Sequence, residues 1–326
     1  MIPKTLPCTA TDLLTHAPRA VAHLRAQLRR KRLGLVFGSG TSKDLGFPDW
    51  KALVRKIARR RHVAARHLLK FIASPQHPKA MPLEERSLAS ITQILFGAYR
   101  AKSMRRLKLS EPLSFLCEQE IRTEWMKIIH GARYEKVSPN TREKRIRQHS
   151  YIPAFLDIIK KAPMTVNYNF DDTLEKLLMF SRTDEEKVTT RGYESTYEPN
   201  SQFKSESGVI YHPNGFLPSI FEDGASPDLI FSNESFRDQL ISAASGQYVQ
   251  LSNFLFRNTC LLVGLSLEDT TLQHLLRQSA VSNPGHVHYL VHFVKNEDEY
   301  DQAACSAIFE ANFSCYNLYT LFLNNE

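Results

Sequence analysis

An apolar run that stops abruptly at glycine sets the tightest limit on the fold. Leu33-Gly34-Leu35-Val36-Phe37 has the pattern of a short strand, and Gly38-Ser39-Gly40-Thr41-Ser42 follows at once. A strand that is apolar at nearly every position has both faces covered, as strands inside a parallel sheet do. From about residue 151 onward, further short β-prone runs alternate with helical patterns. The runs are Met164–Val166, Val209–Tyr211, Asp228–Phe231, Cys260–Val263, Val287–Val294 and Tyr316–Phe322, with helices expected over 172–180 and 235–256. This alternation predicts an α/β fold: a parallel sheet with helices on both faces. Residues 182–207 are polar and read as a surface loop.

The sheet pattern is interrupted. Residues 11–32 read as a helix capped by Thr11, and residues 51–150 look helical throughout, apart from a proline-rich loop at 74–82. The expected organisation is therefore a first sheet segment over 1–50, an inserted basic helical module over 51–150, and the remainder of the sheet domain over 151–326. Charge divides along nearly the same line. Residues 1–150 hold 31 Lys and Arg against 11 Asp and Glu, a net +20, while residues 151–326 hold 11 against 23, a net −12. Three readings fit this split: solvated helix faces, pairing of basic and acidic faces in a homo-oligomer or partner complex, and nucleic acid bound by the basic module.

Several classes are disfavoured. The five cysteines (Cys8, Cys117, Cys260, Cys305 and Cys315) are odd in number, and none forms a Cys-x-x-Cys pair. Neither a disulfide framework nor a zinc module is expected, and no metal site is assigned. No apolar run nears the roughly 20 residues that span a bilayer, so no membrane partner is expected. The opening MIPKTLPCTATDLL lacks the pattern of a secretory signal, so a cytoplasmic location is expected.

Four segments can carry chemistry. In residues 33–50 the strand enters Gly38-x-Gly40. Glycines there permit a tight turn and let backbone N–H groups approach phosphate oxygens, while Ser39 and Ser42 add hydroxyls. The segment continues through Phe47-Pro48-Asp49-Trp50. In MTVNYNFDDTLE, residues 164–175, a strand delivers Asn169, Asp171 and Asp172 to its carboxyl end, where α/β folds bind ligands; either aspartate can also cap the following helix. In VIYHPNGFLP, residues 209–218, His212 and Asn214 follow a strand. In CLLVGLSLEDTTLQHLL, residues 260–276, a strand ends at Gly264-Leu265-Ser266, and Asp269 is suited to cap the next helix.

Taken together and in this order, the four segments resemble the sirtuin-like NAD hydrolases of bacterial anti-phage defence. The likeness covers residues 33–50 and 164–276. It implies a Rossmann-like fold and NAD as substrate, cleaved at the nicotinamide–ribose bond to nicotinamide and ADP-ribose. It also implies residue roles. Gly38, Ser39, Gly40 and Ser42 would cradle the pyrophosphate, and Gly264 and Ser266 would lie along the adenosine side. Phe47 would shield the reacting carbon, and Asp49 and Asn214 would also contact the cofactor. Asp171 would hold the carboxamide, and Asn169 would orient the ribose hydroxyls and a water. The sequence departs from the family at Asn214, where sirtuins carry their catalytic histidine. Either His212 acts as the base from two residues earlier, or turnover is impaired. The remaining alternatives are a protein deacylase and a non-catalytic NAD- or nucleic-acid-binding subunit. An NAD-consuming chain of this kind needs a trigger, expected from self-assembly or from a partner ATPase or sensor protein.

Overall fold

The computed structural model describes residues 17–60, 63, 87–110, 113–135, 139–149, 151–181, 194–199, 209–222, 224–294 and 302–323. Thr11 and the proline-rich loop at 74–82 lie outside them. The described residues open with α1 (Ala17–Arg29) and β1 (Leu33–Phe37), followed by the short α2 (Ser39–Asp44) and by α3 (Trp50–Arg59). Helices α4 (Leu88–Leu107), α5 (Phe115–Tyr134), α6 (Pro139–Gln148) and α7 (Leu156–Lys161) come next. The chain then returns to the sheet with β2 (Thr165–Asn167), α8 (Thr173–Phe180), β3 (Glu194–Thr196) and β4 (Val209–Tyr211). It ends with α9 (Asn233–Ala244), α10 (Val249–Arg257), β5 (Thr259–Val263), α11 (Thr270–Ser282), β6 (His288–Phe293), α12 (Gln302–Tyr316) and β7 (Leu318–Leu323).

The seven strands form one sheet in the order β3-β4-β2-β1-β5-β6-β7, and every pairing is parallel. The expected Rossmann-like α/β class is therefore what the chain adopts. Side chains alternate across the sheet as a period of two requires. Val36, Val166, Tyr211 and Leu262 pack beneath α9, α10 and α11. Leu35, Phe37, Ile210 and Val263 pack on the opposite face against Leu45, Phe47, Ile146, Ile159 and Leu174.

Two strand assignments change. Glu194–Thr196, inside the stretch read as loop, is the edge strand β3, paired to β4 through Glu194 and Val209. Glu194 is exposed and Ser195 half-buried, so an edge position leaves little apolar periodicity to read. Asp228–Phe231 is not a strand. Its Ile230 N–H goes to the Asn214 carbonyl, and Leu229 and Phe231 turn into the helical core instead. The helix expected over 235–256 is two helices, broken where Gly246 takes a positive φ of 78°.

Helices α3, α4 and α5 enclose Leu53, Ile57, Leu95, Trp125 and Ile129, and Leu217, Leu229 and Phe231 from the loop after β4 complete that core. Each such aliphatic or aromatic side chain adds roughly 1.5–3 kcal/mol on burial. The helical segment is thus packed onto the carboxyl edge of the sheet.

Candidate active site

Strand register brings the four sequence segments together. Phe37 lies opposite both Asn167 and Val263, so β1, β2 and β5 end level with one another. Val166 pairs with Tyr211, which places His212 beside them. The chain leaves β1 toward β2 on one side and later returns to β5 on the other. This reversal is the switch point at which open α/β sheets hold ligands, outside the carboxyl ends of the strands.

Gly38, Gly40 and Gly264 make this junction close. Gly38 N donates to Val263 O and Gly40 N to Gly264 O, each at 2.9 Å. A Cβ on Gly38 would stand 2.4 Å from Gly264 O, and one on Gly264 would stand 2.8 Å from Thr41 N. Here the glycines first serve contact between the two loops, and the amides of Gly38 and Gly40 already have carbonyl partners. Ser39 and Ser266 are exposed on the rim. The hydroxyl of Ser42 is buried and donates to Asp171 Oδ2 at 2.7 Å. Gly264 has a φ of +70°. Gly264→Ala is expected to cost about 1–2 kcal/mol from the left-handed backbone alone, and more because Thr41 must shift. An unchanged urea midpoint for that variant would remove the case for tight loop contact.

Asn169 is nearly buried. Its Nδ2 donates to Gly38 O at 2.8 Å, to Asn167 Oδ1 at 3.0 Å and to Thr41 Oγ1 at 3.3 Å. Its Oδ1 accepts no bond among the described residues and is not among the fully buried atoms. The amide is therefore fixed by its nitrogen and presents its oxygen.

His212 is fully buried. Its Nδ1 lies 2.9 Å from Asn169 O and its Nε2 lies 2.8 Å from Glu175 Oε1. Both partners accept, so the ring satisfies both only as an imidazolium. Burial alone would lower the His212 pKa, but the charge and hydrogen bond of Glu175, the Asn169 carbonyl and the charge of Asp171 raise it above its ordinary value. A ring held this way has no lone pair for a substrate proton. Its geometry is that of a positioning residue, clamping the backbone of Asn169 to α8.

This arrangement fixes a pH dependence. A histidine pKa raised on folding gives stability that is complete below the unfolded value near 6.5 and is lost as pH rises through the folded value. Relative to His212→Gln, wild-type protein should therefore lose its advantage in urea midpoint as pH is stepped upward from 6. A constant difference between the two would show that the ring is neutral.

Asp171 is wholly buried, and four donors meet its four lone-pair positions. Oδ2 receives the Ser42 hydroxyl and Arg133 Nη2, and Oδ1 receives Thr173 N at 3.2 Å and the Thr173 hydroxyl. Burial acts to raise its pKa, but Arg133, Thr173 and Ser42 outweigh it and hold the carboxyl below the usual range. Such a carboxylate ties loops together and leaves no acceptor for a carboxamide. Phe47 is likewise a core residue here, buried beneath Arg133, whose guanidinium carbon is 4.9 Å from the ring centroid. Asp49 caps α3 by accepting from Ala52 N at 2.8 Å.

Sequence reasoning did not single out Arg133 and Arg142. Arg133 on α5 reaches Asp171 and donates to Pro48 O at 3.2 Å, so one side chain joins the first two segments. Arg142 on α6 is also buried and donates to Asp172 Oδ1 at 2.9 Å and to Ser219 Oγ at 2.7 Å. Ser219 in turn donates to Asp172 Oδ2 at 2.6 Å, which draws in the loop after β4. Both arginines sit in a generally basic stretch, where nothing distinguishes them from solvated neighbours.

Asn214 stands on the same rim. Its Oδ1 accepts from Gln239 Nε2 at 3.0 Å, and its Nδ2 faces Asp269 Oδ2 at 3.5 Å. Among the described residues no group of three or more His, Cys, Asp or Glu could hold a metal ion. No described helix is long and apolar enough to cross a membrane.

No curated protein matches the sequence. Residues 163–316 match the family model described as SIR2-like domain, which supports a SIR2-like, NAD-related function for that segment.

Proposed function

We propose that the chain hydrolyses NAD at the nicotinamide–ribose bond, releasing nicotinamide and ADP-ribose. The observation that carries this reading is the Asn169 amide, held at the switch point by Gly38, Asn167 and Thr41 with its oxygen left open. Cleavage builds positive charge on the ribose C1′ while the leaving group is already cationic. The protein's task is therefore mostly to position and to stabilise. In this reading the open oxygen accepts from a ribose hydroxyl and holds the attacking water. Ser39 and Ser266 line the rim along the rest of the dinucleotide. Asp171 and His212 act one step removed, by fixing the loops that carry Gly38, Ser42 and Asn169.

Depletion of NAD is the outcome that the resemblance to anti-phage proteins implies for such an activity. Its trigger is assigned to self-assembly or to a partner ATPase or sensor protein.

Incubating purified protein with NAD and separating the products by chromatography tests the reading. Nicotinamide and ADP-ribose should appear in equal amounts. Nicotinamide released only with an acetyl-lysine peptide, together with acetylated ADP-ribose in place of ADP-ribose, would point to deacylation instead. A second reading, NAD binding without turnover, is favoured by the fully engaged His212. It predicts measurable NAD affinity and no products with or without nucleic acid.

A further inference from the structure

With His212 engaged at both nitrogens, the reaction still needs a group to take the proton of the attacking water. We infer that Asp269 is this group, a catalytic carboxylate standing in for the imidazole; the inference rests on the NAD-hydrolysis reading above. Of the buried and half-buried carboxylates behind β2 and β5, Asp171 has a donor on each lone pair. Asp172 is filled by Arg142, Tyr134 and both donors of Ser219. Glu175 serves His212 and Ser195 through one oxygen, and its other oxygen is sealed from solvent.

Asp269 differs. Its Oδ1 caps α11 by accepting from Leu272 N at 2.8 Å. Its Oδ2 has the Asn214 amide at 3.5 Å, the Thr271 N–H also bears on the carboxylate, and the residue retains some exposure. Gln239 holds Asn214 by its oxygen, so the amide nitrogen faces the carboxylate and orients it. That places Asp269 against the very position where sirtuins carry their histidine.

The location also fits. Gly264, five residues earlier, packs on the same Gly38–Thr41 turn that anchors the Asn169 amide. Tyr168, next to Asn169, feels the charge of Asp269, and among the described residues its buried hydroxyl has no hydrogen-bond partner. The neighbours facing the carboxylate are Asn214, Tyr168 and Tyr248, with the Leu272 and Thr271 amides from its own helix; none of them is a cation. Burial accordingly raises its pKa, against the pull of the Leu272 N–H, Asn214 and the Thr271 N–H. A carboxylate shifted toward working pH is a better proton acceptor than an ordinary one.

The step balances without a co-reactant. The C1′–N bond breaks, and its electron pair leaves on nicotinamide, which departs neutral. The oxygen of water bonds C1′, and one water proton passes to Asp269 Oδ2 and then to solvent.

The test compares wild type, Asp269→Asn and Asp269→Glu for turnover across pH and for NAD affinity by calorimetry. Asparagine is an equally good helix cap, so the fold is preserved. The expected result for Asp269→Asn is a kcat lower by about 10²–10⁴-fold with NAD affinity within a few-fold of wild type. The acid limb of the wild-type pH profile, where activity falls as the carboxylate protonates, should vanish in that variant, and Asp269→Glu should regain part of the rate. An Asp269→Asn protein with wild-type kcat and the same acid limb overturns the assignment of Asp269 alone. Absence of NAD turnover in wild type overturns this inference together with the reading beneath it.

Discussion

Arg133→Met should destabilise the folded chain by about 3–5 kcal/mol, the usual cost of removing one partner from a buried ion pair. Both groups of the pair are almost without solvent contact, at 7% and 0% side-chain exposure. Methionine matches much of the volume but leaves the Asp171 carboxylate buried with the Ser42 and Thr173 donors alone. It also removes the donor to Pro48 O and the cation over Phe47. Asp171→Asn alone should cost a comparable amount, because it leaves the buried Arg133 guanidinium without a counter-charge and turns an amide NH2 toward two donors. The double variant should be closer to Asp171→Asn than to the sum of the two, since the uncompensated charge is then gone. Urea titration monitored by fluorescence measures all three. A single-variant loss below about 1 kcal/mol, in the range of exposed pairs, would mean that water reaches the pair. The depressed carboxyl adds a pH signature. Its contribution is present above the unfolded value near 3.8 and is lost as pH falls through the folded value, so wild type should lose more stability in acid than Asp171→Asn does.

Asn169→Ala should lower kcat for NAD by about 10²–10³-fold, the range seen when one oriented polar group is removed from a transition state. The variant removes the open amide oxygen and also the donor that holds Gly38 O, Asn167 and Thr41. Some loss of stability is therefore expected, about 1–3 kcal/mol for the acceptors left behind. Asn167→Ala is the informative control. It loosens the same amide from one side but leaves its oxygen in place, so stability should fall with a smaller effect on turnover. Product release measured by chromatography, alongside far-ultraviolet circular dichroism, separates the two effects. Equal kcat for Asn169→Ala and wild type would remove Asn169 from the chemistry.

Much of the site's position was legible in sequence because it depends on local rules. A strand apolar on both faces must lie inside a sheet, and a glycine or asparagine at its end marks the rim. Those rules place Gly38, Asn169, His212 and Gly264 on one edge. They do not tell what each side chain bonds. The engagement of His212 depends on Glu175, 37 residues away, and on the Asn169 carbonyl, 43 away. The burial of Arg133 and Arg142 depends on Asp171 and Asp172, 38 and 30 residues further on. Within the chain, an arginine that will be buried looks like one that will be solvated. The edge strand β3 was hidden for a related reason, since its pairing with β4 is made by backbone and its outward side chains are polar.

The sequence by itself determined the α/β class and the gathering of four loops at one rim, because strand period, turn residues and helix caps act over a few residues. Only the tertiary structure decided which polar groups at that rim are saturated and which stay open. That outcome is set by donors arriving from α5, α6 and the loop after β4, and a buried polar atom takes whatever partner the packing brings to it.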